Sequence, residues 1–174
     1  RIYGEVMEPI SLETIQQHID SHLSNGIQIS QDAFGVFNCE LDIKHLYQFV
    51  HFLYKDEVLA INFLTDLCGV HYPDQKNKEI GVVYHLQSMK HQLRLRVKVF
   101  VSVNKPEVPS LTGIYGSANW MERETYDFYG VQFLGHPNLK RILNMDEMLA
   151  FPMRKEFPLE DPNREDKIDY QFGR

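Results

Sequence analysis

Between Glu122 and Leu143 the chain reads ERETYDFYGVQFLGHPNLKRIL. Glu122, Arg123, Glu124 and Asp127 set charges into an apolar helical pattern. An aromatic run, a Gly135-His136-Pro137 turn and the Lys140-Arg141 pair follow. Two nearby carboxylates are the residue types of general acid–base catalysis, which needs a group within reach of the proton it moves. Glu122 and Glu124 lie two positions apart on a helix and so point in different directions. Arg123 between them favours ionised neighbours and is expected to hold both carboxyls low. Nothing in the segment supplies a nucleophile or an oxyanion donor, so catalysis is disfavoured. The spacing suits ion pairing better, because Arg123 and Asp127 are i,i+4 neighbours. On a solvated helix face such a pair contributes only a few tenths of a kcal/mol. Desolvated at a contact between subunits, the loss of one partner costs several kcal/mol.

Other chemistries are poorly supplied. A metal at His136 would need further ligands at short spacing, and His71, His85 and His91 fall on other elements. Cys39 and Cys68 have no CxxC companion, which disfavours a disulfide framework or a structural zinc site and predicts two reduced thiols. An iron–sulfur cluster usually takes four thiolates, more than this chain contains. There is no GxGxxG or GxxxxGK, so NADH or ATP binding by this chain is unsupported, and it is expected to carry no cofactor of its own. Lys140-Arg141 and Arg154-Lys155 are two basic pairs that would suit an acidic partner surface, arginine being fitted to bidentate carboxylate pairing.

The elements that position these groups are legible in outline. Ser11 caps a helix carrying Leu12, Ile15, Ile19 and Leu23 in one stripe, ended at Asn25-Gly26. Ile27 to Ser30 and Phe34 to Leu41 read as strands. Asp42 caps a second helix with Ile43, Leu46, Tyr47, Val50, Leu53 and Tyr54 on one face. Strands follow at about 59–68, 79–88 and 93–103. In the last, Leu93, Leu95, Val97, Val99, Val101 and Val103 alternate with mostly polar residues, so one sheet face is buried. Arg94, Arg96 and Lys98 repel one another on the other face unless a neighbouring strand supplies carboxylates, for which Glu79 and Glu40 are candidates. A third helix is expected from about Ser110 to Gly130.

The fold class is therefore α+β: a mixed, mainly antiparallel sheet with helices packed on one face, followed by an extended C-terminal arm. The division is 1–130 for the domain and 131–174 for the arm. The arm's prolines at 137, 152, 158 and 162 break regular structure, and Glu160 to Arg174 is largely charged. Yet Phe133, Leu139, Ile142, Leu143, Met145, Leu149, Phe151 and Phe157 are too apolar for a disordered tail. The arm must pack, on its own domain or across a partner. At 174 residues the chain is long enough to bury a core without staples. A net charge of −6 argues against a general nucleic-acid binder. No apolar run approaches the ~20 residues of a membrane span, so a chain soluble in itself is expected, with membrane association only through partners. The first residue is Arg1 rather than Met, which leaves a trimmed targeting segment open.

The segment around Glu122, Arg123, Glu124, Asp127, Phe128, Tyr129, His136, Lys140, Ile142 and Leu143, continued by Phe151 to Leu159 (FPMRKEFPL), resembles the signature of one respiratory complex I family. That family is the C-type, or thirty-kilodalton, subunit of proton-translocating NADH:quinone oxidoreductase. The resemblance implies a non-catalytic peripheral-arm protein that docks on the quinone-site (D-type) subunit and on neighbouring iron–sulfur subunits. FMN, iron–sulfur clusters and quinone would belong to those partners. It implies attachment at the cytoplasmic side of a bacterial inner membrane, or the matrix side in a mitochondrion. Glu122, Arg123, Glu124 and Asp127 would form an interface network, His136, Lys140 and Arg141 polar contacts, and Arg154 and Lys155 arm anchors. The chain departs from the family's pattern in two places. Met148 to Phe151 replace a Trp-x-Gly-His stretch, and Asn138 stands where Asp is common. The same type of protein also serves ferredoxin- or F420-linked quinone reductases and membrane-bound hydrogenases. From another class, a freestanding small enzyme would use Glu122, Glu124 and His136.

Overall fold

The computed structural model describes residues 10–23 and 26–157, so the expected helix stop at Asn25 and the arm beyond Phe157 lie outside the described residues. In chain order the elements are α1 (Leu12–His22), β1 (Ser30–Gln31), β2 (Phe37–Leu41), α2 (Ile43–Lys55), β3 (Phe63–His71), β4 (Ile80–Ser88), β5 (Leu93–Val101), β6 (Glu107–Pro109), α3 (Ala118–Tyr129) and β7 (Gln132–Leu134).

The caps read from the sequence are in place. Ser11 Oγ accepts from the Thr14 N–H at 3.2 Å, and Asp42 Oδ1 from the Lys44 N–H at 3.2 Å. Five strands form one sheet in the order β1-β2-β5-β4-β3, antiparallel except for the β2–β5 pair. That one parallel pair follows from α2, which carries the chain away from β2 before it returns through β3 and β4. Register sets Cys39, Val97, Tyr84 and Leu67 in one row across the sheet, all buried. Against this face pack Ile15 and Ile19 of α1 and Leu46, Phe49, Val50 and Leu53 of α2, each 0–1% exposed. Burying a side chain of this kind stabilises by about 1.5–3 kcal/mol. The next row, Asn38, Arg96, His85 and Asp66, crosses the outer face. The carboxylate beside Arg96 is Asp32, 3.5 Å away. Neither expected candidate serves: Glu40 pairs with Lys78 at 2.9 Å, and Glu79 accepts from the Asn77 and Val103 N–H groups.

Boundaries shift where local turns win over periodicity. Residues 32–36 make a turn with Gly35 at φ +79°, so the strand expected from Phe34 begins at Phe37. Leu59 and Ile61 are fully buried but precede β3, which starts at Phe63. After Pro109 the chain makes a turn in which the Ile114 and Tyr115 N–H groups both donate to the Leu111 carbonyl. Gly113 and Gly116 interrupt it, so α3 begins at Ala118, later than the expected start near Ser110. Gly130, left-handed at φ +77°, ends α3 as read from the sequence.

Two three-residue strands, β6 and β7, pair in parallel as a second small sheet that the sequence does not announce. Through them Val131 and Phe133 reach the core. From Gly135 to Phe157 there is no helix or strand, yet the chain lies on the domain. The Met153 N–H donates to the Phe128 carbonyl at 3.2 Å, and the Lys155 N–H to His71 Nδ1 at 2.9 Å. Helix α3 packs on β3 because Gly69 has no side chain: the ring of Tyr129 fills the space a Cβ there would need.

Candidate docking site

Helix α3 carries the charged motif, and three of its four charges turn inward. Glu122 is fully buried. Its Oε2 accepts from Ser110 Oγ at 2.7 Å and its Oε1 from the Leu111 N–H at 2.6 Å, fastening the turn after β6. Burial pushes its pKa up to about 7, against the lowering effect of those two bonds. This reverses the low value expected from Arg123 as a neighbour, because Arg123 points elsewhere. Tyr84, fully buried in β4, has a hydroxyl with no partner among the described residues, and burial together with the Glu122 charge raises its pKa.

Arg123 is 7% exposed. Its guanidinium lies over the Trp120 ring at 4.7 Å, and its Nε donates to the Lys140 carbonyl at 3.1 Å. It forms no ion pair with Asp127. The partner of Asp127 is Arg141, fourteen residues on, at 2.7 Å. Asp127 Oδ1 also accepts from Asn144 Nδ2, and Oδ2 from the backbone N–H groups of Ile142, Leu143 and Asn144 at 3.1, 2.8 and 3.0 Å. Burial opposes ionisation here. The Asn144 and Leu143 N–H groups, the Asn144 amide and the Arg141 guanidinium outweigh it and hold the carboxyl well below the usual range. Arg141 in turn donates to the carbonyls of Asp127, Met148 and Ala150 at 3.0, 2.6 and 3.1 Å.

The rest of the arm is fastened by similar means. Two guanidinium groups lie over the Phe151 ring, Arg141 at 5.2 Å and Arg154 at 4.6 Å from its centre. Arg154 Nε donates to the Tyr129 carbonyl at 2.8 Å. His136 Nε2 lies 3.1 Å from the Asn119 carbonyl, and Nδ1 lies 3.0 Å from the Asn138 N–H. These partners require the proton on Nε2 and the lone pair on Nδ1. Glu124, Lys140 and Lys155 are exposed. The nine candidate residues thus divide: Glu122, Arg123, Asp127, His136, Arg141 and Arg154 are satisfied within the chain, and three face solvent.

Glu122 and Glu124 share no hydrogen-bond partner, and His136 is engaged at both ring nitrogens, so the three do not form a proton-transfer set. Among the described residues no three His, Cys, Asp or Glu side chains gather to hold a metal. Both cysteines are free. Burial raises the Cys39 thiol to about 12, and burial with the nearby Asp66 and Glu124 carboxylates raises Cys68, which keeps both protonated and poorly nucleophilic. What the arrangement does do is fix an irregular backbone that holds apolar side chains in water. Leu143, Met145 and Leu149 are 66%, 73% and 98% exposed, and Trp120 64%. Periodicity could not find Ser110, Asn144 or Phe151 as parts of this assembly, because their partners Glu122, Asp127 and the two arginines are reached across irregular chain.

Comparison with known proteins places these features in context. The model of the family described as "Respiratory-chain NADH dehydrogenase, 30 Kd subunit" matches residues 39–163. A C-type subunit of the NADH-quinone oxidoreductase of Rhizobium etli, the second of that type by its name, is 44% identical over 128 residues, covering 73% of this chain and 67% of that protein. The C-type subunit of the Xanthobacter autotrophicus enzyme is 37% identical over 148 residues, covering 85% and 70%. Among solved structures, the trypsin-resistant fragment (1-134) of Nqo5 superposes with a TM-score of 0.60 at 30% identity, over 72% of this chain and 98% of the fragment. A protein of the membrane-bound sulfane sulfur reductase, an archaeal respiratory membrane complex, gives 0.69 at 21% identity over 89% of this chain and 95% of its own length, a shared fold.

Proposed function

The chain belongs to the respiratory-chain NADH dehydrogenase 30 kDa subunit family, and from that premise we propose that it is a non-catalytic docking protein of a NADH:quinone oxidoreductase. It binds the quinone-site (D-type) subunit and neighbouring iron–sulfur subunits and steadies the arm through which electrons pass from NADH to quinone, coupled to proton translocation. FMN, the iron–sulfur clusters and quinone reside in those partners. The names of the relatives support NADH as donor over the ferredoxin-, F420- or hydrogenase-linked alternatives. Among the described residues no helix is long and apolar enough to cross a membrane. Attachment is therefore assigned to partners, on the cytoplasmic side in a bacterium and the matrix side in a mitochondrion.

One observation carries this reading. The buried Asp127–Arg141 pair fixes an arm whose Leu143, Met145 and Leu149 stand in solvent. Apolar side chains on a pinned backbone lower the ordering cost of association and supply the desolvated centre of an interface. Within the proposal, Trp120, Leu143, Met145 and Leu149 are the anchors, and Glu124, Lys140 and Lys155 the polar rim. Glu122, Arg123, Asp127, His136, Arg141 and Arg154 hold the frame.

The test is to tag the chain in its host, solubilise membranes mildly and compare wild type with a Leu143→Ser, Leu149→Ser double variant. Both positions are exposed, so the variant chain should melt like wild type. The expected result is loss of co-purifying NADH-oxidising subunits. Full recovery of an active complex with the double variant would overturn the docking role.

A further inference from the structure

We propose a second docking point at the opposite edge of the sheet: the β1–β2 turn inserts Phe34 into an apolar pocket rimmed by carboxylates on a neighbouring subunit. The proposal rests on the reading of the chain as a docking protein and adds a contact that the arm does not make.

Phe34 is 92% exposed, and a single exposed apolar residue ordinarily means little. Its backbone, however, is held by bonds from within and beside the turn. Asp32 Oδ1 accepts from the Phe34 and Val36 N–H groups at 2.9 and 3.0 Å. The Asp32 N–H donates to the Val36 carbonyl and the Gly35 N–H to the Asp32 carbonyl, at 3.0 and 3.1 Å. From outside the turn, Asn38 Nδ2 donates to the Val36 carbonyl at 2.8 Å, and Arg96 Nη1 to Asn38 Oδ1 at 3.1 Å. Arg96 also sits 3.5 Å from the Asp32 carboxylate. An aromatic side chain with two torsions, on a backbone already ordered, is the kind of group that dominates interfaces.

The surroundings state the partner's chemistry. Beside Phe34 a cleft of about 360 Å³ runs toward the β4–β5 turn, lined by Phe37, His91 and Leu93 and flanked by Arg94. Arg94 is exposed and has no carboxylate within ion-pair distance among the described residues. Lys90 on the same turn donates to a backbone carbonyl, that of Glu57. Among the described residues the Arg94 guanidinium in this cleft and the Lys90 ammonium on the neighbouring turn have no carboxylate partner, while Asp32 is taken up by Arg96, and cations beside an apolar finger fit an apolar pocket with acidic edges. The sheet order puts this turn four strands from β3, on which α3 packs and to whose His71 the arm is bonded through the Lys155 N–H. At ~4.8 Å per strand β1 and β3 lie roughly 20 Å apart, and contacts at both edges of the sheet fix orientation as well as affinity.

The test uses the intact complex. A photoreactive benzoylphenylalanine at position 34 should form an adduct on another subunit, at a segment where Asp or Glu flanks apolar residues. Phe34→Ser should shorten the residence time of this chain in the diluted complex about tenfold or more, the range for an aromatic anchor. Arg94→Glu should shorten it further at low than at high salt. An adduct confined to this chain's own residues 1–9, an adduct on a second copy of the chain, or a residence time within twofold of wild type for both variants would overturn the proposal. The Leu143→Ser, Leu149→Ser variant separates the two readings. If it disrupts the complex while Phe34→Ser does not, only the second contact fails. If neither variant has an effect, the docking reading fails with it.

Discussion

Replacing Asp127 by Asn removes one charge and almost no volume, and it strikes the joint between α3 and the arm. The wild-type carboxylate is acceptor-only and meets five donors: Arg141, the Asn144 amide and three consecutive backbone N–H groups. Asn offers one oxygen and one NH2 group, so in either orientation a donor faces donors. The Arg141 guanidinium, 8% exposed, loses its counter-charge. Breaking one partner of a buried pair costs about 3–5 kcal/mol. The five bonds are not summed, since they share one carboxylate and the arm can lift off instead of keeping an unpaired charge. The cost should therefore appear as local undocking of 141–157 more than as unfolding of the sheet. At 1.4 kcal/mol per tenfold, docking weakens by about two to four orders of magnitude. Native-state hydrogen exchange reads this directly: the amides of Ile142, Leu143 and Asn144 lose protection by that factor, while those of β4 and β5 change little. The folded carboxyl lies below its ordinary value of 3.8, so the lock is complete at neutral pH and is lost only as pH falls below about 4. Protection at 142–144 reduced less than tenfold in Asp127→Asn would refute the lock.

Two further outcomes follow from the same packing. Glu122, raised from 4.5 to about 7, is disfavoured as an anion in the fold, so stability should fall as pH rises through that interval, by up to roughly 3 kcal/mol; denaturation at pH 5 and pH 8 should show this slope in wild type and its absence in Glu122→Gln. Gly69→Ala puts a methyl where the Tyr129 ring lies, and overpacking of this kind costs about 1–3 kcal/mol, visible as a lowered Tm that Gly69→Ala combined with Tyr129→Ala partly restores.

The sheet was readable wherever burial alternates cleanly. β5 has every odd residue from Leu93 to Val101 in the core, and a two-residue period is unmistakable over nine positions. Helix α2 and both capped helix starts were readable for the same reason: the signal is local and repeats. The short strands β6 and β7 were not, since three residues carry no period and their pairing joins segments 25 residues apart. The start of α3 is not marked by periodicity, because Ile114 and Ala118 stand at helical spacing across a turn that Gly113 and Gly116 interrupt. The fate of Asp127 was hidden differently. Arg123 at i−4 is the neighbour that helix geometry offers, but Trp120 and two backbone carbonyls hold Arg123, leaving Asp127 to a loop arginine that no periodicity ranks.

That exchange of partners changes what the motif's charges do. Read as a string, Glu-Arg-Glu and Asp127 look like groups kept for a neighbouring protein. In the fold, Glu122 holds the turn after β6, Arg123 holds the 140–141 carbonyls, and Asp127 holds the 142–144 amides. All three are engaged within the chain, Asp127 by an opposite charge and Glu122 and Arg123 by neutral groups, and a buried group already hydrogen-bonded has little left to offer an incoming surface. Their substitution should therefore impair assembly indirectly, by releasing the arm, and the defect should follow arm protection from one variant to the next. Substitutions at Leu149 or Lys140 leave the frame intact, so they should impair assembly with arm protection unchanged. If Asp127 variants lost assembly with a fully protected arm, the charge itself would have to face the partner, and the division between frame and contact residues would be wrong.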